Sequence, residues 1–162
     1  MSLKIYFRKI NQHEHELRIQ RVDGTEEHQM CETRSFLVHD LTHFAFEAEA
    51  HLQNGFWGQV AAGRSLAELS DRESIRKLDP NSEMMRIEKV VAIFQGMAKG
   101  TAPESIIEIY NAQKSNFDWA KPEWFDFEFI ARVGHRLQGL VGHWNATGFG
   151  ESMTIEWILP NP

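Results

Sequence analysis

Two stretches near the start of the chain alternate apolar and polar residues. In residues 4–10 Ile5 and Phe7 face one side, with Tyr6 and Arg8 on the other; in residues 16–22 Leu17 and Ile19 share a side. A period of two is the mark of a strand with one wet face, and the polar residues 11–15 between the two runs predict a hairpin. Asp23-Gly24 reads as a turn, and residues 25–34 show no period and are assigned to a loop or a frayed extension. Alternation returns at residues 153–159, which predict a last strand.

Between these ends the apolar spacing is helical. Residues 36–54 form a central helix, with Leu41, Phe44, Ala45, Phe46, Ala48 and Leu52 as its apolar residues; Asn54-Gly55 ends it because glycine tolerates the left-handed conformation. Residues 56–63 predict a short helix bracketed by glycines, with Gly58 and Gly63 suited to close backbone approach. Ser65 with Glu68 and Ser70 with Glu73 fit capping boxes, predicting short helices over 66–69 and 71–78. Asp79-Pro80 opens a helix with the stripe Met84, Ile87, Val91, Phe94 and Ala98, which ends at Gly100. A capping box from Thr101 to Glu104 leads into Ile106, Ile107, Ile109 and Tyr110. The last long helix runs from near Pro122 to about Trp144, with Phe125, Phe129, Val133, Leu137, Leu140 and Val141 on its apolar side. Gly134, Gly139 and Gly142 each cost this helix about 1 kcal/mol against Ala, which marks positions where another backbone packs closely. Strands at both ends and helices between give an α+β fold, a predominantly helical single domain over residues 1–162. Its small, mainly antiparallel sheet consists of the N-terminal hairpin and the C-terminal strand.

Composition narrows the function classes. A chain of 162 residues can bury a proper core, and 25% charged residues argue against disorder. The net charge of −6, with basic runs no longer than pairs such as Arg76-Lys77, argues against nucleic acid and anionic membranes as partners. Cys31 is the single cysteine, so there is no intrachain disulfide and no cysteine metal cluster. The sequence has no membrane-span run and no signal-peptide core at its start, so a soluble cytoplasmic protein is expected.

The candidate chemistry sits in the central helix. His39, His43, Glu47 and His51 recur every four residues, with Asp40 beside the first, so they form a column along one helix face. Two starts fit this helix. Ser35 as cap places His39 on the column; Asp40 as cap, which the pattern favours, leaves His43, Glu47 and His51. Imidazole and carboxylate donors at this spacing suit a divalent metal such as zinc, manganese or iron. Zinc hydrolases use H-E-x-x-H, whereas His39-Asp40-Leu41-Thr42-His43 puts the shorter Asp in the general-base slot. There it reaches less far and is already occupied if it caps the helix, so the run is not assigned to the metalloproteases. Asp40 or His39 is then the candidate base and His43, Glu47 and His51 the candidate ligands. His135 on the last helix can add a further ligand, with His143 two turns on and Glu128 on a similar face. The competing reading is an amphipathic helix whose polar residues meet solvent or neighbouring loops.

The run Asp40-Leu41-x-His43-x-x-x-Glu47, followed by Gly55-Phe56-Trp57-Gly58 and Ala61-Ala62-Gly63, resembles a motif shared by a family of small uncharacterised bacterial proteins. The resemblance covers roughly 25 residues. It implies that Asp40, His43 and Glu47 are the signature and that His39 and His51 are peripheral; it implies no activity, fold or cofactor.

Six aromatic residues between Phe117 and Phe129 exceed what one helix entry needs for its core, which points to a subunit interface or a ligand pocket. The acidic residues among them disfavour an RNA-stacking surface. There is no G-x-G-x-x-G, P-loop, G-x-S-x-G or di-iron E-x-x-H pair. Two functions fit. The one placed first is a bacterial cytoplasmic binding or interaction module, self-associating as a homo-oligomer through the Phe117–Phe129 tract. The alternative is a metal-dependent, hydrolase-like enzyme using the His/Asp/Glu column.

Overall fold

The computed structural model describes residues 1–79, 82–114 and 125–160. Its elements are β1 (Ser2–Lys9), β2 (Glu14–Gln20), β3 (Glu26–Glu32), α1 (Thr33–Glu49), α2 (Phe56–Ala61), α3 (Leu66–Ser70), α4 (Arg72–Arg76), α5 (Glu83–Phe94), a 3₁₀ turn over Gln95–Lys99, α6 (Pro103–Gln113), α7 (Phe127–Ala146) and β4 (Ser152–Ile158). The fold is α+β, with an antiparallel sheet in the order β3-β2-β1-β4. Ile5 lies opposite Ile19 and Ile155, and Phe7 opposite Leu17 and Met153, so one register aligns the apolar residues of three strands on one face. Leu3, Ile5, Phe7, Leu17, Ile19, Met153 and Trp157 are all buried there beneath the helices. The outer face carries residues such as Arg18, whose guanidinium lies 3.9 Å from the centre of the Tyr6 ring.

The sheet has one strand more than the sequence pattern predicts. β3 occupies part of 25–34, the segment assigned to a loop or a frayed extension, and Cys31 is the one buried residue along it. An edge strand that is polar on both faces has no amphipathic signature, and that polarity also protects the edge from pairing with another chain.

α1 follows β3 with no intervening loop. Its first residue, Thr33, donates its amide to His13 O (2.8 Å), and the Thr33 hydroxyl lies 3.0 Å from His15 Nδ1, so the hairpin anchors the helix start. The N-cap position is Glu32, with no side-chain cap, and neither Ser35 nor Asp40 fills that role. Asp40 lies well inside the helix. The chain also leaves the helix earlier than expected. The C-cap is Ala50, and His51, not Gly55, takes the left-handed conformation at φ 53°. Residues 40–47 of α1 are buried without a break, because the helix is covered by β3, α2, α5, the 3₁₀ turn and α7. Thr42 satisfies its hydroxyl on Val38 O at 2.6 Å.

Other helix starts differ in detail. Ser65 caps α3 as expected, accepting from the amides of Ala67 and Glu68, but α4 is capped by Asp71 in place of Ser70. α5 is capped by Ser82 and not opened by Asp79-Pro80 (Pro80 itself lies outside the described residues), while Gly100 does end the following 3₁₀ turn at φ 92°. Ala102 precedes α6 with no side-chain cap, and Asp126 caps α7, with Pro122 outside the described residues. Of the three glycines in α7, Gly134 is a close-approach position, where a Cβ would stand 2.8 Å from Met97 Sδ; Gly139 and Gly142 face open space.

The aromatic tract lies partly outside the described residues. Within them, Phe125 and Phe129 are buried with Phe94 and Tyr110, and Phe127 is exposed. Among the described residues no helix is long and apolar enough to cross a membrane.

Candidate metal centre

His39 and His43 are one turn apart on α1, with ring centroids 4.6 Å apart, and both turn toward α5. There they meet Glu88. His39 Nε2 is 3.3 Å from Glu88 Oε2, and His43 Nε2 is 2.9 Å from Glu88 Oε1. One ligating atom from each of the three residues lies within 4.8 Å of the others. His43 is fully buried, Glu88 is partly buried and His39 stands at the edge.

Each imidazole is held from behind by its own carboxylate. His39 Nδ1 lies 3.2 Å from Asp40 Oδ1, and His43 Nδ1 lies 2.8 Å from Glu47 Oε2. A ring that gives its Nδ1–H to a carboxylate presents the Nε2 lone pair on its other side, which is the tautomer a metal requires. Here both Nε2 atoms are aimed at the Glu88 carboxylate. Although His43 Nε2 and Glu88 Oε1 are 2.9 Å apart, they are not aligned as a hydrogen bond, and neither atom has another hydrogen-bond partner among the described residues. A buried imidazole nitrogen this close to a carboxylate oxygen calls for positive charge, carried either by a proton on the ring or by a metal ion.

A proton is the cation available to the protein alone. Burial disfavours a charged His43, but the carboxylates of Glu47 and Glu88 outweigh it and raise its pKa to about 10. Burial likewise opposes the charge on Glu88, yet His39 and His43 hold that carboxyl well below the usual carboxylate range. His39 is raised as well, with burial overcome by Asp40 and Glu88 and the neighbouring His43 working against it. The cluster therefore draws positive charge strongly, which a divalent ion would supply without requiring two adjacent rings to be protonated together.

Glu47 is set one residue further from any ion. It is completely buried, and its Oε2 accepts from Phe56 N at 2.9 Å while Oε1 accepts from Trp57 N at 3.1 Å. It thus fixes the start of α2 and the orientation of His43 together. The glycines of the following stretch exist for this arrangement. A Cβ on Gly55 would lie 2.2 Å from Glu47 Cδ, and one on Gly58 would lie 2.0 Å from the Gln53 carbonyl oxygen. Trp57 closes the unit by donating its indole N–H to Asp40 O at 3.1 Å.

The sequence-derived site residues divide accordingly. His39, Asp40, His43 and Glu47 come together, but His39 takes a ligand position in place of the base, and Asp40 and Glu47 orient the two rings. His51 does not join them: it lies past the end of α1, exposed, in a groove with Trp157 and Leu159. His135 is exposed on α7 beside Glu49, Arg132 and Arg136, and His143 is exposed further along the same helix. Glu88 was missed by the sequence reading. Its signal is a carboxylate on the apolar stripe, four residues after Met84 and three before Val91, both buried.

A cleft of about 260 Å³ reaches the cluster from outside, with His39, Asp40 and Glu88 in its wall. Comparison with protein-family models finds no match, and comparisons with curated proteins and with solved structures find none either.

Proposed function

We propose that the protein is a metal-dependent, hydrolase-like enzyme whose divalent ion is held by His39 Nε2, His43 Nε2 and Glu88. Two imidazoles and one carboxylate are the donor set of zinc hydrolases, and three protein ligands leave a coordination position open. Zinc fits these donors best; iron and manganese accept the same set. The cleft, with His39 and Glu88 in its wall, would give a ligand a route to such an ion. An ion there supplies Lewis-acid chemistry, polarising a carbonyl oxygen or activating water. Asp40 and Glu47 keep the rings in the ligating tautomer.

The observation that carries this reading is the pair of imidazoles, each backed by a carboxylate on Nδ1 and each aiming Nε2 at Glu88. Elemental analysis of protein purified without an affinity metal tests it. The expected result is about one equivalent of zinc, iron or manganese per chain, lost in His43→Ala and in Glu88→Ala. A metal-free wild type that added zinc, iron or manganese fails to stabilise against heat overturns it.

A further inference from the structure

The cleft beside the cluster restricts what can reach an ion, and this inference rests on the metal-centre reading above. Its walls combine three features. Phe36, Phe56, Leu69 and Ile75 make an apolar lining contributed by α1, α2, α3 and α4. At about 260 Å³ it is smaller than the pockets of roughly 300–1,000 Å³ that enclose drug-sized ligands. Among its described lining residues there is no Lys or Arg; the charged groups are the carboxylates of Asp40 and Glu88 beside the His39 imidazole.

The described lining gives anions little to hold them. Phosphate recognition relies on Arg or Lys, or on free amides at a helix start. The amides at the start of α2 are taken by Glu47, those of α3 by the Ser65 hydroxyl and those of α4 by Asp71. Asp40, Glu47 and Glu88 together carry more negative charge than one divalent ion cancels, so the local potential repels a dianion. A neutral ligand with an oxygen donor meets no such barrier. Ser70 offers it one specific contact. Its hydroxyl oxygen accepts from Gln29 Nε2 at 3.3 Å, which leaves the hydroxyl proton for a ligand in the cleft that Ser70 lines.

We infer that the site takes small neutral carboxylic-acid derivatives, short-chain acyl esters or amides, with the acyl chain against the apolar walls and the carbonyl oxygen toward the His39, His43 and Glu88 cluster. Water alone balances their hydrolysis. The water oxygen bonds to the carbonyl carbon, and the C–O or C–N bond breaks with its electron pair going to the leaving group. One water proton ends on the leaving group and the other on the new carboxylic acid, which passes it to solvent. Ser70 is a positioning and specificity residue in this scheme.

Protein reconstituted with Co²⁺ gives a binding readout independent of turnover, since the visible bands of the ion respond to a ligand entering its coordination sphere. Butyrohydroxamic acid, a short acyl probe with two oxygen donors, is expected to shift the bands, and phenyl phosphate at tenfold higher concentration is not. With zinc bound, 4-nitrophenyl butyrate is expected to be hydrolysed with a kcat/KM at least about a hundredfold above that for 4-nitrophenyl phosphate. Ser70→Ala is expected to lower butyrate kcat/KM about tenfold or more while leaving the ligand-free Co²⁺ spectrum unchanged. Leu69→Trp, which narrows the cleft away from the ligands, is expected to weaken butyrohydroxamic acid and not Co²⁺ binding. Phenyl phosphate shifting the bands as readily as the hydroxamic acid overturns the substrate class and leaves the metal centre standing. Bound Co²⁺ that responds to neither probe does the same. Failure to take up Co²⁺ or zinc at all overturns both.

Discussion

Glu47 commits both carboxylate oxygens to groups that have no access to water, namely His43 Nδ1 and the amides of Phe56 and Trp57. Glu47→Ala leaves a buried imidazole and two backbone donors without an acceptor, and should cost about 3–5 kcal/mol in denaturant unfolding. Gly55→Ala attacks the same contact from the other side, because its Cβ would overlap Glu47 Cδ. The two changes should therefore be strongly non-additive, and a double variant losing the full sum would separate them. His15 supplies a pH dependence of its own. It is fully buried between the rings of Phe7 and Trp144, and burial lowers its pKa, with Asp40 partly opposing. The unfolded chain thus binds the His15 proton more readily than the folded one, so stability is complete above the unfolded pKa near 6.5 and falls as pH drops below it. His39 and His43, with raised values, contribute a slope only above that pH, and the lowered carboxylates contribute only below about pH 4.5. Between pH 6.5 and 5, wild type should lose stability and His15→Gln should show a flatter profile; equal slopes in the two proteins would exclude His15 as the source.

α1 shows where the sequence was legible and where it was not. Its column of polar residues at four-residue spacing singled out His43 and Glu47, because helical stacking is a local property of the chain. It also took in His51, and the favoured cap at Asp40 left His39 off it. Which of them touch one ion depends on α5, almost fifty residues away, and no local pattern announces that Glu88 faces His43. The helix ends were misplaced for a related reason. Asp40 is a good capping residue in isolation, yet the β2–β3 register and the Thr33 amide bond to His13 fix the helix start earlier. At the other end the chain turns at His51, not at Gly55, because Gly55 is needed against Glu47. An ordinary side chain in the left-handed conformation is strained, so His51→Gly should stabilise the fold by about 0.5–1 kcal/mol in thermal or denaturant unfolding. A loss of stability would mean that the imidazole makes a contact worth more than the strain. Strands β1, β2 and β4 were legible because each has one wet and one dry face; β3 was not, because polar residues occupy both.

For the molecule as a whole, the cluster joins α1 to α5 across the helical layer, while the sheet and α7 pack on other sides of α1. An ion bound there is a cross-link present in the folded state and absent from the unfolded chain. Zinc at a hundred times its dissociation constant should stabilise wild type by about 2.7 kcal/mol, and Glu88→Gln should lose most of that gain while keeping its fold. Equal stabilisation of both proteins would place the ion elsewhere, for instance at exposed His51 or His135. The most direct test of the metal centre is anomalous diffraction from crystals grown with zinc. One strong peak is predicted about 2.0–2.2 Å from His39 Nε2, His43 Nε2 and a Glu88 carboxylate oxygen, with Asp40 and Glu47 still on the two Nδ1 atoms. A peak confined to other residues, or none with the two imidazoles and Glu88 in their present contact, would contradict the account.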